Sequence, residues 1–109
     1  MIGRTKVLIS SYTCKWSLGF ARFRPERPRS LSWFLDLARD HGLDGVQIAD
    51  NVQPERLDDG QVERLAAQAR ESGCEIQWGF EGWQEPKVRR LLDASRRSDS
   101  RRLRGVLGR

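Results

Sequence analysis

The feature that most constrains this chain is a repeated strand segment with one apolar and one polar face. HGLDGVQIADN (residues 41–51) and SGCEIQWGFEG (residues 72–82) each follow a helix-like segment. Their leading glycines, Gly42 and Gly73, lie 31 residues apart. One row of each strand is polar or small: Gln47, Ala49 and Asn51, then Gln77, Gly79 and Glu81. The alternate row is apolar: Val46 and Ile48, then Ile76, Trp78 and Phe80. Successive side chains of a strand point to opposite faces, so only one face of each strand is built for a core.

The same alternation of strand and helix runs along the chain. Strands are expected near 6–11, 45–51, 75–81 and 103–107, and helices near 30–41, 59–72 and 86–97. Ser30 suits a helix N-cap, Pro86 a first helical turn, and Gly42 and Gly73 suit helix ends. Leu31, Phe34, Leu35 and Ala38 share one helical face, as do Val62, Leu65, Ala66 and Ala69, and then Val88, Leu91, Leu92 and Ser95. With 109 residues, 38% of them hydrophobic, the chain is expected to form one domain over 1–109.

The order β-α-β-α-β-α-β implies an α/β fold with a parallel sheet and right-handed crossovers. An open doubly wound sheet meets helices on both faces and needs both to be apolar. A (β/α) barrel fits the two-faced strands better. Its apolar face packs on outer helices, and its other face lines the interior and ends at a C-terminal mouth. The inward set is then Ser10 and Tyr12; Gln47, Ala49 and Asn51; Gln77, Gly79 and Glu81; Arg104 and Val106. Asp50 is expected to point outward as a cap or turn residue. An inward Arg104 calls for a carboxylate, and Glu81 on the adjacent strand is the expected partner.

ISSYTCKWSLGF, GLDGVQIADN, GCEIQWGFEGW and LRGVLG, in this order with helices between, resemble the first half of the sugar phosphate isomerase/epimerase family. That family has the xylose isomerase-like TIM barrel, and the resemblance covers about residues 6–108. It implies half of a (β/α)8 barrel, since a complete one needs about 250 residues. It also implies a divalent metal (Mn, Mg or Zn) at the mouth and isomerisation or epimerisation of a sugar or sugar-phosphate substrate by proton transfer. The family draws its metal-binding Glu, Asp and His residues mostly from later strands. This chain alone is therefore expected to hold no metal and to be inactive until a homodimer or a second half-barrel chain completes it.

The candidate catalytic residue is Glu81, as general base and tentative metal ligand; its plainer reading is a solvated loop carboxylate. Asn51 and Tyr12 are candidates for positioning hydroxyls. Trp16 offers an aromatic wall for a sugar ring, or else packs its loop onto the barrel. Arg104 orients substrate, or only balances Glu81. Arg22, Arg24, Arg27 and Arg29 surround Glu26 in the loop over 12–29 and either grip a phosphate or form a solvated face, without a glycine-rich cradle to support the first reading. Cys14 and Cys74 are expected as free thiols, and His41 lies at a helix end. No CxxC, HExxH or GxSxG motif occurs.

Net charge is +5, unevenly spread. Residues 1–86 hold 11 basic and 13 acidic side chains, whereas 87–109 hold 9 and 2. The basic end supports an alternative, a small nucleic-acid- or anion-binding module. Against it, no nucleic-acid motif appears and no aromatics interleave with the arginines. No apolar run is long enough for a membrane helix and no signal peptide is visible, so the expected location is the cytoplasm.

Overall fold

The structure, a computed structural model, describes residues 5–100 and 103–106, with the backbone alone for Arg104 and Val106. The elements are β1 (Leu8–Ser10), α1 (Lys15–Leu18), α2 (Leu31–Asp40), β2 (Gly45–Ile48), α3 (Asp59–Ser72), β3 (Glu75–Glu81), α4 (Glu85–Arg97) and β4 (Leu103–Val106). Two 3-10 turns, Asp50–Val52 and Pro54–Arg56, join β2 to α3. All three strand pairings are parallel and the order is β1-β2-β3-β4. Successive crossovers of one hand in one direction place every helix on the same side of the sheet. The protein is thus a two-layer α/β structure.

The core confirms that arrangement. Val46, Ile48, Ile76 and Trp78 are buried beneath Phe34, Leu35 and Ala38 of α2, Val62, Leu65 and Ala69 of α3, and Val88, Leu91 and Ala94 of α4. Fully burying a side chain of Leu or Phe size contributes about 1.5–3 kcal/mol, so this layer contact dominates the apolar stabilisation. The Trp78 indole stays satisfied in the core because Nε1 donates to Ser98 Oγ at 2.8 Å. Leu8, Ser10, Gln47, Gln77 and Gly79 share the opposite face by register and belong to no part of this cluster. There Gln47 Nε2 donates to Gln77 Oε1 at 3.2 Å.

Local chemistry sets the ends of the elements. Ser30 Oγ accepts from Trp33 N at the start of α2. Asp58 and Gln61 form a reciprocal capping box at the start of α3, and Gly73 ends it in the left-handed region with φ 67°. The ring of Phe80 lies across Gly105, where a Cβ would overlap it.

Several boundaries differ from the sequence reading. β1 is shorter than 6–11, and β2 stops at Ile48 because Asp50 begins a 3-10 turn. α4 starts at Glu85, so Pro86 occupies its first turn. The long first loop contains the short helix α1, which no apolar period announced. Leu92 is exposed, not buried. At 100° per residue, the stripe formed by Val88, Leu91, Ala94 and Ser95 leaves Leu92 beyond its margin. Among the described residues no helix is long and apolar enough to cross a membrane. Leu107, expected in the last strand, lies outside the described residues.

Gly45 sets how closely β2 and β3 approach, since a Cβ there would overlap the backbone of Glu75. Backbone cannot yield as a flexible side chain would. Gly45→Ala is expected to destabilise the fold by about 2 kcal/mol or more, read as a lower urea midpoint at unchanged slope.

Candidate functional site

The carboxyl ends of β1, β2 and β3 lie side by side, and the segments leaving them enclose a cleft of about 550 Å³. Tyr12 comes from the exit of β1, Asp50 and Asn51 from the exit of β2, and Glu81 from the end of β3. Phe20, Arg22 and Arg24 of the first loop, with Gln53, complete the lining.

Ser11 and Asn51 hold the rim in place. Ser11 is fully buried; its Oγ donates to Asn51 Oδ1 at 2.6 Å and accepts from Ala49 N at 2.8 Å. Asn51 Nδ2 donates to the carbonyls of Ser11 at 3.2 Å and Gly19 at 3.0 Å. One side chain thus ties together the exits of β1 and β2 and the end of α1. Both amide hydrogens are committed, and Oδ1 keeps one lone pair for a ligand.

The charges at the mouth are arranged differently from the sequence expectation. Asp50 lines the cleft rather than pointing outward, because the 3-10 turn breaks strand alternation after Ile48. Lys87 of α4 donates to Asp50 Oδ1 at 3.0 Å, with side-chain exposures of 17% and 26% for Lys87 and Asp50. Burial raises the Tyr12 phenol above its usual pKa, and the negative charges of Asp50 and Glu81 raise it further, while Lys87 opposes them. Tyr12 is therefore a neutral hydrogen-bond donor over an unusually wide pH range. Glu81 is exposed at the strand end, and its backbone pairs with Val106.

Tyr12, Asn51 and Glu81 of the expected site residues come together here. Trp16 does not line the cleft. It packs edge-on against Phe20 at 5.2 Å and on Phe23 at 5.3 Å, with Lys15 Nζ 5.5 Å above its ring. It remains largely exposed, so Phe20 supplies the aromatic wall from the loop and Trp16 stands behind it. Arg104 pairs with Gly79 through the backbone, and its expected contact with Glu81 falls outside the described side chains. Lys87, Phe20 and Gln53 escaped the sequence reading, which gave Asp50 the wrong side of the strand. Only the charge of Lys87 at a helix start, facing a strand-end acid, could have hinted at that pair.

Elsewhere the arrangement is structural. Cys14 and Cys74 are free, and burial pushes both thiols above the usual range, which makes them poor nucleophiles. Arg97 pairs with Asp59, Glu63 and Asp93; Arg90 pairs with Asp59 and Asp93; Arg89 pairs with Glu85. Much of the positive charge on α4 is balanced within the chain. Among the described residues no three His, Cys, Asp or Glu side chains assemble to hold a metal ion. Glu81 and Asp50 are the carboxylates at the mouth, and Asp50 is already paired with Lys87. The described residues do not by themselves bring together the protein ligands that hold a divalent cation.

Tyr12 is the sole tyrosine, so absorbance at 295 nm reports it alone. Its midpoint is expected above the ordinary value of about 10. Glu81→Gln and Asp50→Asn should each lower that midpoint, and Lys87→Gln should raise it. Asn51→Asp replaces a donor facing two carbonyls with a carboxylate. It is expected to destabilise the fold by about 1–3 kcal/mol at pH 7. The introduced carboxyl would titrate above its unfolded value, so the loss should shrink as pH falls through the folded pKa; urea unfolding at pH 7 and pH 4 checks both.

No family model matches the chain, and no curated protein and no solved structure matches it.

Proposed function

We propose that this chain is the N-terminal half of a xylose isomerase-like barrel, serving an isomerase or epimerase of sugar-type substrates in the cytoplasm. The observation that supports it most is the sequential parallel order β1-β2-β3-β4 with one helix layer, which leaves an amide-bearing face opposite the core. A doubly wound sheet would reverse its strand order and cover both faces. In a barrel that second face turns inward, and the strand ends carrying Tyr12, Asn51 and Glu81 form the mouth.

In this reading the sugar lies in the cleft against Phe20. Tyr12 donates to a substrate hydroxyl. Glu81 accepts the proton from the carbon next to the carbonyl and returns it to the neighbouring position. Asn51 shapes the rim. The missing strands come from further chain, a second copy or a second polypeptide, together with the groups that hold a metal. Nothing in the proton transfer assigned to Glu81 is derived from that metal.

The test pairs solution mass with isotope exchange. Light scattering on a sizing column should show a discrete dimer, or a discrete complex once a complementing half is co-expressed. In heavy water with Mn²⁺ or Mg²⁺, that assembly should introduce deuterium next to the carbonyl of at least one aldose or ketose in a panel. Glu81→Gln should reduce the exchange at least about a hundredfold, the usual scale of a lost general base. An assembled species that exchanges no sugar, or whose Glu81→Gln variant exchanges as fast, would overturn the reading.

A further inference from the structure

Beside the mouth lies a second, smaller cleft of about 260 Å³, between the start of α2 and the two 3-10 turns. Three arginines border it: Arg24 and Arg29 from the first loop, and Arg56 from the second 3-10 turn. Gln53 and Gln61 add amides, and no carboxylate lines it. These arginines differ from Arg89, Arg90 and Arg97 of α4, which face Asp59, Glu63, Asp93 and Glu85. Among the described residues Arg24, Arg29 and Arg56 enter no salt bridge.

We propose that this cleft is a binding site for a phosphate dianion, free or carried as a monoester. Three guanidinium forks present more N–H donors than one carboxylate can accept, whereas a phosphate offers several oxygens to them. The positions are held in advance. Arg29 N donates to Ser17 O at 2.8 Å, and the Arg29 guanidinium lies 5.6 Å from the ring of Trp33. Arg56 N donates to Gln53 O at 3.0 Å. Gln53 itself adopts φ 49° and ψ 62°, a left-handed conformation that glycine would hold at less cost. Its side chain lines both clefts, as do Arg24 and Asn51. The volume suits an ionic group better than a whole ligand. A carrier attached to the phosphate would extend past Gln53 into the mouth.

The test uses the full chain and calorimetric titration with inorganic phosphate, acetate, ribose and ribose 5-phosphate at low ionic strength. Inorganic phosphate should bind saturably at one site with a millimolar dissociation constant, and acetate at least about tenfold more weakly. Arg29→Gln and Arg56→Gln should each weaken phosphate about fivefold or more, on the scale of one lost charged hydrogen bond. Arg89→Gln removes the same charge from α4 and should change it less than about twofold. Tighter binding of ribose 5-phosphate than of phosphate would support a phosphorylated ligand reaching the mouth. Equal affinity would support the free ion. Unsaturable binding, or equal weakening by Arg89→Gln, would overturn the site. None of these readouts needs a completed barrel, so failure of the isomerase reading would leave this one standing. The arginines are exposed, and circular dichroism of the variants checks that each remains folded.

Discussion

Everything else in this protein depends on one contact: a single helix layer pressed onto one face of a parallel sheet. Trp78, Ile48 and Ile76 give that face its bulk, and the stripes of α2, α3 and α4 complete it. The opposite face has no such content. Its Gln47–Gln77 hydrogen bond satisfies polar groups that a second helix layer would have to bury. The two faces therefore have different fates by composition, before any question of function arises. Parallel sheets of one domain are ordinarily covered on both sides, which makes the amide face the most informative part of the sheet.

The site follows from how the strands end. β2 breaks off into a 3-10 turn immediately after Ala49, and that turn swings Asp50 into the mouth beside Tyr12 and Glu81. The Ser11–Asn51 contact then fixes the separation of the two exits, with every donor accounted for. Lys87 offsets part of the acidic charge. The result is a hydrogen-bonded rim carrying charged groups, the order of parts a ligand site needs when orientation is to be held by the scaffold rather than by the ligand.

Much of this was legible in the sequence where one physical rule acted alone. The repeated strand segment aligned Gln47 with Gln77, and the two pair in register. The helical period placed Val62, Leu65, Ala66 and Ala69 together, and all four are buried. Legibility failed where two rules competed. Strand alternation assigned Asp50 outward, but the turn chemistry of Asp50–Val52 overrode it. A helical stripe of Val88, Leu91, Leu92 and Ser95 admitted Leu92, but Ala94 shifted its centre. The sequence offered Trp16 as the aromatic wall, with Phe20 unremarked four residues on. Only the edge-on packing between them decides which meets the cleft. Arg56 joins Arg24 and Arg29 across 27 residues or more, a proximity that no local pattern encodes.

The outer strands carry the remaining constraint. β1 and β4 have three and four residues, and each is paired on one side only within the described sheet. Short edges limit unwanted pairing. The flanks of β1 are guarded further: Val7 N donates to Asp44 Oδ2 at 2.7 Å, Tyr12 N to Ser10 Oγ at 3.2 Å, and Lys6 holds Glu75 at 2.9 Å. Side chains thus occupy backbone donors at both ends of the strand, leaving its middle as the part able to extend a ladder. A partner that continued the sheet there would meet a preset register.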